Sequence, residues 1–285
     1  MVYKEFMIAS KEKIKVDLHM HTNFSDGKLS PKELVNQALK AGLSIISITD
    51  HDNVNGLEEA IEYGDRVGVK VIPGVELSTG LFDREVHILG YFIDFKNERL
   101  LKFLTALRYA RINRLHEMIS KLNDLGSKIT IESITADLTD DISVGRPHVA
   151  KALVNEGFVK TRAEAFMRYI GDDKPAFVKK PVPNAKEAIE LISFIGGLSF
   201  VAHPGKIVRG ELLDELLSYG LDGIEVIHPS HGSEDIEYFS SVASQNFMLV
   251  SGGSDFHGIY DREYGNMGNY VIPSYNIVNM RRRLF

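Results

Sequence analysis

The chain has 285 residues and no cysteine, so disulfide bonds and thiolate-bound metals are excluded, and any metal must be held by histidine and carboxylate. Its formal net charge of −6 at pH 7 argues against a general nucleic-acid-binding protein, which would carry a basic excess. The N-terminal segment is interrupted by charged residues and lacks the apolar core of a signal peptide, and no apolar run reaches the roughly 18 residues of a membrane span. We therefore expect a soluble cytoplasmic protein without membrane contact.

The first motif is a short apolar strand, residues 14–18, that runs into His19-Met20-His21. Because successive side chains of a strand alternate between its faces, His19 and His21 point the same way. Two imidazoles on one side of a strand end form a pair of ligands for a transition metal. Two unrelated surface histidines explain this motif equally well, so the rest of the chain must decide.

Strand and helix patterns alternate along most of the chain. Ser30-Pro31-Lys32-Glu33 is a capping box with proline at the first helical position. The β-branched apolar run at 43–49 is typical of a strand buried on both faces. Further strands are predicted at 70–72, with an extension to 78, and at 85–92, 198–202, 223–227 and 248–251.

Residues 97–182 break this alternation. Leucines recur at helical spacing up to Gly126, a second helix begins near Gly145 and stops at Gly157, and a third opens with a capping box at Thr161. We therefore predict a helical insertion domain over 97–182, with 1–96 and 183–285 forming one barrel domain.

Each of the seven predicted strands ends in or carries histidine, aspartate or glutamate, although the chain has only ten histidines. In α/β barrels the carboxyl ends of the strands converge on one face, where catalytic groups collect from many strands. The sequence therefore predicts a closed or nearly closed α/β barrel with a metal cluster at its C-terminal mouth.

Six motifs, in this order, resemble those of the PHP (polymerase and histidinol phosphatase) family: His19-x-His21, Ser25-Asp26-Gly27, Thr49-Asp50-His51-Asp52, Pro73-Gly74-x-Glu76, Ala202-His203-Pro204 and Ser254-Asp255-x-His257. The resemblance implies a distorted (β/α)7 barrel with a multinuclear metal site. The helical insertion and Gly145-Arg146-Pro147-His148 resemble a subgroup of stand-alone phosphoesterases. Members of that subgroup hydrolyse nucleoside monophosphates or 3′,5′-bisphosphates, and some also trim RNA from its 5′ end.

The same resemblance implies three divalent ions, Mn, Fe or Zn, held by nine side chains. The first ion would take His19, His21, Glu76 and Asp255; the second would share Glu76 and add His87 and His203; the third would take Asp26, His51 and His257. Asp26 stands where some members have histidine, which leaves the metal preference open. Such a cluster would be positively charged, would suit a phosphate dianion, and would lower the pKa of a bridging water so that hydroxide attacks phosphorus.

Four other residues are predicted to act on the substrate. Arg146 and His148 begin a helix, where an arginine fork and free backbone N–H groups suit phosphate, although a solvated arginine is the simpler interpretation. His228 and His231 resemble residues at the mouth of the subgroup's barrel and are assigned to substrate binding or to proton transfer to the leaving group. A capping or orienting role is the alternative. Asp255 is assigned a catalytic role besides metal binding.

The remaining polar residues receive supporting roles. Asp17, Asp50 and Asp52 are expected to orient metal ligands without binding metal. Lys179 and Lys180 are interpreted as a solvated charge pair.

The function predicted from the sequence is metal-dependent hydrolysis of small nucleotide monoesters such as AMP or a 3′,5′-bisphosphate, with no obligate protein partner. A 5′→3′ exoribonuclease acting on short RNA and a histidinol-phosphate phosphatase are alternatives in the same family. A polymerase-associated or metal-free PHP interaction module is disfavoured, because no polymerase-sized region is present and no ligand has been lost.

Overall fold

One eight-stranded sheet organises the protein, which is described by a computed structural model over residues 14–136 and 142–285. The charged N-terminal segment before residue 14 lies outside the described residues. The strands are β1 (Lys15–Asp17), β2 (Ile45–Ile48), β3 (Lys70–Leu81), β4 (Arg84–Tyr91), β5 (Leu198–Val201), β6 (Gly223–Ile227), β7 (Leu249–Gly252) and β8 (Ile272–Pro273). Their order in the sheet is β7-β6-β5-β4-β3-β2-β1-β8.

The sheet curves until the end of β7 meets the end of β1, which closes it. The predicted α/β barrel is therefore confirmed. Leu18 N donates to Gly252 O at 3.0 Å, and Met20 forms a parallel bridge with Phe256 beyond the end of β7. The seven predicted strands are all present. The eighth, β8, is a two-residue strand that the sequence did not predict, and it pairs antiparallel with β1.

Strand β4 runs against both of its neighbours, whereas β1–β3 and β5–β7 are parallel sets. The reversal follows from a tight hairpin between β3 and β4, in which Phe82 and Asp83 have φ angles of 45° and 63°. Two successive residues with positive φ are typical of the turn that matches strand twist in a two-residue hairpin. His87 therefore reaches the mouth from inside an antiparallel strand and not from a strand's carboxyl end.

The inner face of the sheet is apolar at one end and polar at the other. On β3, Ile72 and Glu76 share a face because they are four residues apart, and on β4 Tyr91 and His87 do so for the same reason. Tyr91 packs edge-on against Phe200, with ring centroids 5.1 Å apart. This packed apolar end supports the polar end, where the predicted ligands lie.

Helices surround the sheet: α1 (Pro31–Lys40), α2 (Leu57–Val67), α7 (Ala185–Phe194), α8 (Glu211–Ser218), α9 (Ser233–Gln245), α10 (Asp261–Asn266) and α11 (Tyr275–Leu284). The capping box predicted at Ser30 forms, since Ser30 N donates to Glu33 Oε2 at 2.8 Å and Ser30 Oγ accepts from Glu33 N at 3.4 Å. Within the described residues, no helix is both long and apolar enough to cross a membrane. The cytoplasmic location stays a prediction.

The segment predicted as a helical insertion contains α3 (Glu98–Asp124), α4 (Ile131–Thr135), α5 (Arg146–Glu156) and α6 (Arg162–Ala165), followed by a π-helical turn, Phe166–Ile170. Buried residues from these helices, including Leu115, Leu122 and Leu153, form an apolar cluster separate from the barrel's clusters. Leu100 and Leu104, near the start of α3, belong to the barrel's cluster instead, and the boundaries at 97 and 182 stay a prediction.

We expect Gly253→Ala to destabilise the barrel where β7 meets β1. A Cβ at Gly253 would lie 2.4 Å from His19 N and 2.7 Å from Asp17 Oδ1, so the backbone must move. The expected loss is about 1–3 kcal/mol in the free energy of unfolding, measured by urea denaturation. Gly265→Ala is the matched control, because a Cβ there meets nothing within 4 Å. Equal stability of the two variants would contradict this account of the strand junction.

Candidate metal centre

The nine predicted ligand residues all lie at the polar end of the barrel and form four overlapping groups. In each group the nitrogen and oxygen atoms that could bind a cation lie within 4.8 Å of one another. The groups are His21, Asp26, His51 and His257; His19, Glu76 and His203; His19, His21 and Asp255; and His51, Glu76 and His87. Of the three sets implied by the family resemblance, Asp26, His51 and His257 fall within one group, whereas the groups place His87 with His51 and His203 with His19, and the assignment of ligands to metals is a proposal.

Glu76 on β3 lies at the centre of the cluster and is fully buried. Its Oε1 atom is 2.8 Å from His87 Nδ1 and 2.9 Å from His203 Nε2. Its Oε2 atom is 3.0 Å from His51 Nδ1 and 3.3 Å from His19 Nε2. One carboxylate thus faces imidazoles from four different parts of the barrel.

Two further carboxylates lie on the side of the cluster toward β1 and β7. Asp255 Oδ1 is 3.1 Å from His21 Nε2 and 3.4 Å from His19 Nε2. Asp26 Oδ1 is 3.2 Å from His257 Nε2. Each predicted carboxylate ligand therefore already lies beside predicted imidazole ligands.

Two of these residues adopt backbone conformations that cost energy. His203 has a φ angle of 29° and Asp255 one of 50°, both in the left-handed region that side chains with a Cβ usually avoid. Such strain persists only where the surrounding structure enforces it, and it collects at functional sites. The strained backbone at His203 and Asp255 therefore lies at two predicted ligands.

The residues present fit divalent metals. His21 Nδ1, Asp26 Oδ1 and His51 Nδ1 are buried and have no hydrogen-bond partner among the described residues, although Asp26 and His51 lie close to other predicted ligands. Burying polar atoms without a hydrogen-bond partner lowers the stability of a protein. A cation bound between these nitrogen and oxygen atoms would give each of them a partner. Imidazole and carboxylate together suit Mn²⁺, Fe²⁺ and Zn²⁺.

The electrostatics of the cluster keep its carboxylates ionised. Burial raises the pKa of Asp255, but the charges of His19 and His257 outweigh burial and hold that pKa well below its usual range. The pKa of Glu76 is lowered well below its usual value against the same burial effect, chiefly by His51 and His87. Ionised carboxylates are the form that binds a divalent cation.

The three aspartates predicted to orient ligands each accept a hydrogen bond from a backbone N–H, and their orienting role stays a prediction. Asp17 Oδ1 accepts hydrogen bonds from His19 N at 3.2 Å and Ser254 N at 3.0 Å, and so ties β1 to the motif that carries Asp255. Asp50 accepts from Thr22 N at 2.7 Å, directly after His21. In the same way, Asp52 accepts from the Ser78 backbone N–H at 2.8 Å.

Glu225 on β6 is a member of the site that the sequence analysis missed. It is fully buried, its Oε1 atom lies 2.8 Å from His19 Nδ1, and its Oε2 atom accepts from His203 N at 2.6 Å. A carboxylate on the outer nitrogen of a ligand histidine fixes the ring orientation and its tautomer. The available signal was a lone glutamate inside the apolar strand Gly223–Ile227.

Two buried cations from the helical segment were also missed. Arg111 lies four residues after Leu107 and four before Leu115, so it shares their buried face of α3. Its Nε donates to Asp52 Oδ2 at 2.8 Å. Lys180 is only 8% exposed and pairs with Glu85 at 2.8 Å, so its interpretation as a solvated residue was wrong. Lys179 is exposed, as expected of a solvated residue, and its ammonium lies 3.0 Å from Asp83 Oδ1.

The two histidines assigned to substrate binding or proton transfer differ in their surroundings. His228 Nε2 lies 3.3 Å from Asp255 Oδ2, inside the cluster. Both ring nitrogens of His231 form hydrogen bonds with the backbone. Nδ1 donates to Val226 O at 2.9 Å, and Nε2 accepts from Gly205 N at 3.1 Å. The contacts of His231 favour the alternative capping role, and its catalytic role stays a prediction.

Arg146 and His148, both predicted to bind substrate, form hydrogen bonds with different partners. His148 Nδ1 accepts from Gly145 N at 3.0 Å. The Arg146 guanidinium pairs with Asp172 Oδ1 at 2.6 Å and lies 5.8 Å from the ring centre of Phe177. Their roles in substrate binding stay predictions.

A cavity of about 600 Å³ opens between the barrel mouth and the helical segment. Besides His148 it is lined by the predicted ligand Asp26, by the basic residues Lys28, Lys151 and Arg162, and by Tyr260. Local positive charge in a chain of net charge −6 indicates an anionic ligand at this position.

The fold and the site together define the class of α/β-barrel hydrolases that work with bound metals. Residues 17–197 match the model of the PHP domain. The chain is 35% identical to a 5′-3′ exoribonuclease of Haemophilus influenzae over 249 residues, which cover 85% of this chain and 90% of the relative. It is 32% identical over 247 residues to a 3′,5′-nucleoside bisphosphate phosphatase of Chromobacterium violaceum, covering 85% and 87%.

A solved structure is similar over nearly the whole chain. A Bifidobacterium adolescentis protein, named as a candidate metal-dependent phosphoesterase, superposes with a TM-score of 0.85 at 32% identity, over 94% of this chain and 96% of its own. The chain belongs to the PHP domain family. It is an enzyme that hydrolyses phosphoric esters, as its sequence predicted.

We expect Glu225→Gln to weaken metal binding by about 10- to 100-fold, the usual effect of losing a carboxylate behind a ligand histidine. The change removes the charge that holds His19 Nδ1 and keeps the shape of the side chain. Metal affinity is measured by competition with a chelator. Glu234→Gln on the exposed start of α9 is the control and should bind like the unmodified protein. Unchanged affinity in Glu225→Gln would remove this residue from the site.

Proposed function

We propose that the chain hydrolyses phosphate monoesters of small nucleotides, AMP or 3′,5′-bisphosphates, using three divalent ions of Mn, Fe or Zn. The observation that carries the proposal is the convergence of six histidines and three carboxylates at one barrel mouth, where the atoms of each group lie within 4.8 Å of one another. The ligands would be His19, His21, Asp26, His51, Glu76, His87, His203, Asp255 and His257.

When bound, the metals would lower the pKa of a water molecule so that hydroxide attacks phosphorus, and would offset negative charge on the phosphoryl oxygens. The chain's own residues position the reactants. Glu225 keeps His19 Nε2 directed at the cluster by holding Nδ1. His228, whose Nδ1 is held by Ser230 Oγ at 2.7 Å, presents Nε2 beside Asp255, where it can give a proton to the leaving oxygen.

The substrate class rests on the basic cavity. Lys28 comes from the loop after β1, whereas Lys151 and Arg162 come from the helical segment, so cations from both sides of the mouth line it. They surround a space next to Asp26, a predicted ligand. A nucleotide whose hydrolysed phosphate lies at the cluster would place its sugar, or a second phosphate, in this cavity. The relative named a 3′,5′-nucleoside bisphosphate phosphatase supports this substrate.

A 5′→3′ exoribonuclease is the second candidate. The relative named a 5′-3′ exoribonuclease favours it, and so does the size of the cavity, which at about 600 Å³ exceeds the volume needed for one phosphate. Histidinol phosphate and a metal-free interaction role have no comparable support, because the basic cavity suits a more highly charged substrate and the predicted ligand set is complete.

The deciding experiment measures phosphate and nucleotide release by the Mn²⁺-loaded protein from AMP, 3′,5′-bisphosphoadenosine, histidinol phosphate and a 5′-phosphorylated RNA trimer. Fast phosphate release from the mononucleotides with little reaction of the trimer supports the phosphatase. Stepwise loss of mononucleotides from the trimer supports the exoribonuclease. No reaction across the panel, with metals shown to be bound, would contradict both proposals.

His19→Ala should abolish hydrolysis of whichever ester the protein prefers. The imidazole lies near both Glu76 and Asp255 and is fully buried, so its loss removes a proposed ligand of the first ion and leaves a cavity lined by polar atoms. Turnover and bound metal are measured together, with circular dichroism as the check on folding. His116→Ala, at an exposed position on α3, is the control. Full turnover in His19→Ala would rule out the proposed ligand set.

Arg146→Ala should raise KM for the ester by about tenfold or more while metal content stays unchanged, since one charge-assisted hydrogen bond to phosphate is worth about 1.5–3 kcal/mol. Steady-state kinetics and metal analysis test this. Because Arg146 pairs with Asp172, Asp172→Asn is the informative companion: it frees the guanidinium and should lower KM or leave it unchanged. Identical KM values for Arg146→Ala and the unmodified protein would exclude Arg146 from substrate binding.

A further inference from the structure

A chain of charged and polar side chains connects the helical segment to one predicted metal ligand. It starts at His87, whose Nδ1 lies 2.8 Å from Glu76 Oε1 and whose Nε2 lies 3.2 Å from Glu85 Oε1. The two ring nitrogens therefore face opposite ways. Nδ1 faces the cluster, and Nε2 is left to donate to Glu85.

Glu85 is placed for this contact by the hairpin. Glu85 and His87 are two residues apart on β4, so they share a face of the strand. Across the hairpin, His87 pairs in register with Ser78 of β3. The position of Glu85 behind the histidine is thus fixed by strand geometry and not by a mobile loop.

Lys180 holds Glu85 in turn. Its Nζ atom donates to Glu85 Oε1 at 2.8 Å and to Ser78 Oγ at 2.6 Å. The ammonium is nearly inaccessible, with its side chain 7% exposed. A buried ammonium needs a counter-charge, and Glu85 supplies it.

Arg111 completes the connection from α3. Its Nη2 donates to Ser78 Oγ at 3.0 Å and to Asp52 Oδ2 at 2.5 Å, and its Nη1 donates to Val144 O at 3.3 Å. Two cations of the helical segment therefore dock onto two carboxylates of the barrel. Ser78, which accepts from both cations, lies directly opposite the ligand His87.

We infer that Glu85 and Lys180 are positioning residues that hold His87 in its ligand orientation, and that docking of the helical segment and metal binding at His87 therefore reinforce each other. The inference rests on the proposed metal role of His87. Glu85 accepts from His87 Nε2–H, which fixes the tautomer with a lone pair on Nδ1, and Lys180 keeps the carboxylate from turning away. Groups behind a ligand histidine commonly govern metal affinity in this way.

The test compares Glu85→Gln and Lys180→Met with Lys179→Met. Lys179 is the matched control because it is adjacent in sequence but forms only an exposed pair with Asp83. Mn²⁺ binding is measured by competition with a chelator, and bound Mn²⁺ is counted by elemental analysis. Both test variants should lose about tenfold or more in affinity for the Mn²⁺ ion that depends on His87, whereas Lys179→Met should match the unmodified protein.

A His87→Ala background shows whether the effect passes through this histidine. There, Glu85→Gln and Lys180→Met should cause no further loss of Mn²⁺ affinity, since residues that act through one partner are not additive. Affinity unchanged in the single variants, or losses of equal size with and without His87, would overturn the inference. If the unmodified protein bound no Mn²⁺, the proposed function itself would fail. The same titration distinguishes that outcome from a failure of the inference about Glu85 and Lys180.

Folding is checked separately by the urea midpoint of the chelator-treated proteins. If Lys180→Met does not fold, Glu85→Gln carries the test alone, because its carboxylate is 38% exposed and its shape is conserved. Added Mn²⁺ should raise the urea midpoint of the unmodified protein and of Lys179→Met more than that of Glu85→Gln. An equal gain in all three proteins would contradict the coupling.

Discussion

The structure depends on one constraint: the carboxylate of Glu76 is buried among imidazoles at the mouth of a barrel whose opposite end is packed with apolar side chains. A buried charge must be compensated by hydrogen bonds or by opposite charge, or it destabilises the fold. Nearly every polar feature at this end of the barrel serves that compensation. The imidazoles surround Glu76, and further carboxylates stand behind or beside those imidazoles, Glu225 behind His19 and Asp255 in front of it.

The constraint also explains the irregularities of the fold. A regular parallel barrel delivers side chains to its mouth from strand ends, but His87 is delivered from the middle of the reversed strand β4. The left-handed backbone at His203 and Asp255 turns two further predicted ligands inward at a cost in local stability. This backbone strain lowers the stability of the protein without metal, and bound cations would offset that loss.

The helical segment takes part in this electrostatic arrangement. Its buried Arg111 and Lys180 bring positive charge to the barrel carboxylates Asp52 and Glu85. Arg111 and Asp52 are both buried, so the attraction between them is stronger than that of the surface pair formed by Lys179, whereas the Glu85 side chain keeps 38% of its surface exposed. The same segment lines the basic cavity, so its docking bears on both the geometry of the cluster and the binding of an anionic substrate.

The sequence alone was sufficient for the local elements. The capping box at Ser30, the apolar strands and the periodicity of α3 are set by neighbouring residues, and strand ends rich in ligand-type residues indicated the barrel. The family motifs then identified the candidate ligands. Local chemistry decides these features, because helix capping and strand alternation depend on residues only a few positions apart.

Only the tertiary structure revealed the partners of those residues. Glu225 is an isolated glutamate in an apolar strand until the barrel closes and brings it against His19, 206 residues away in the chain. Lys180 resembles its solvated neighbour Lys179 in sequence, but the packing of the helical segment buries one and exposes the other. The reason is physical: burial and charge pairing are properties of contacts between distant segments, and a single sequence specifies the residues of such a contact without specifying which of them meet.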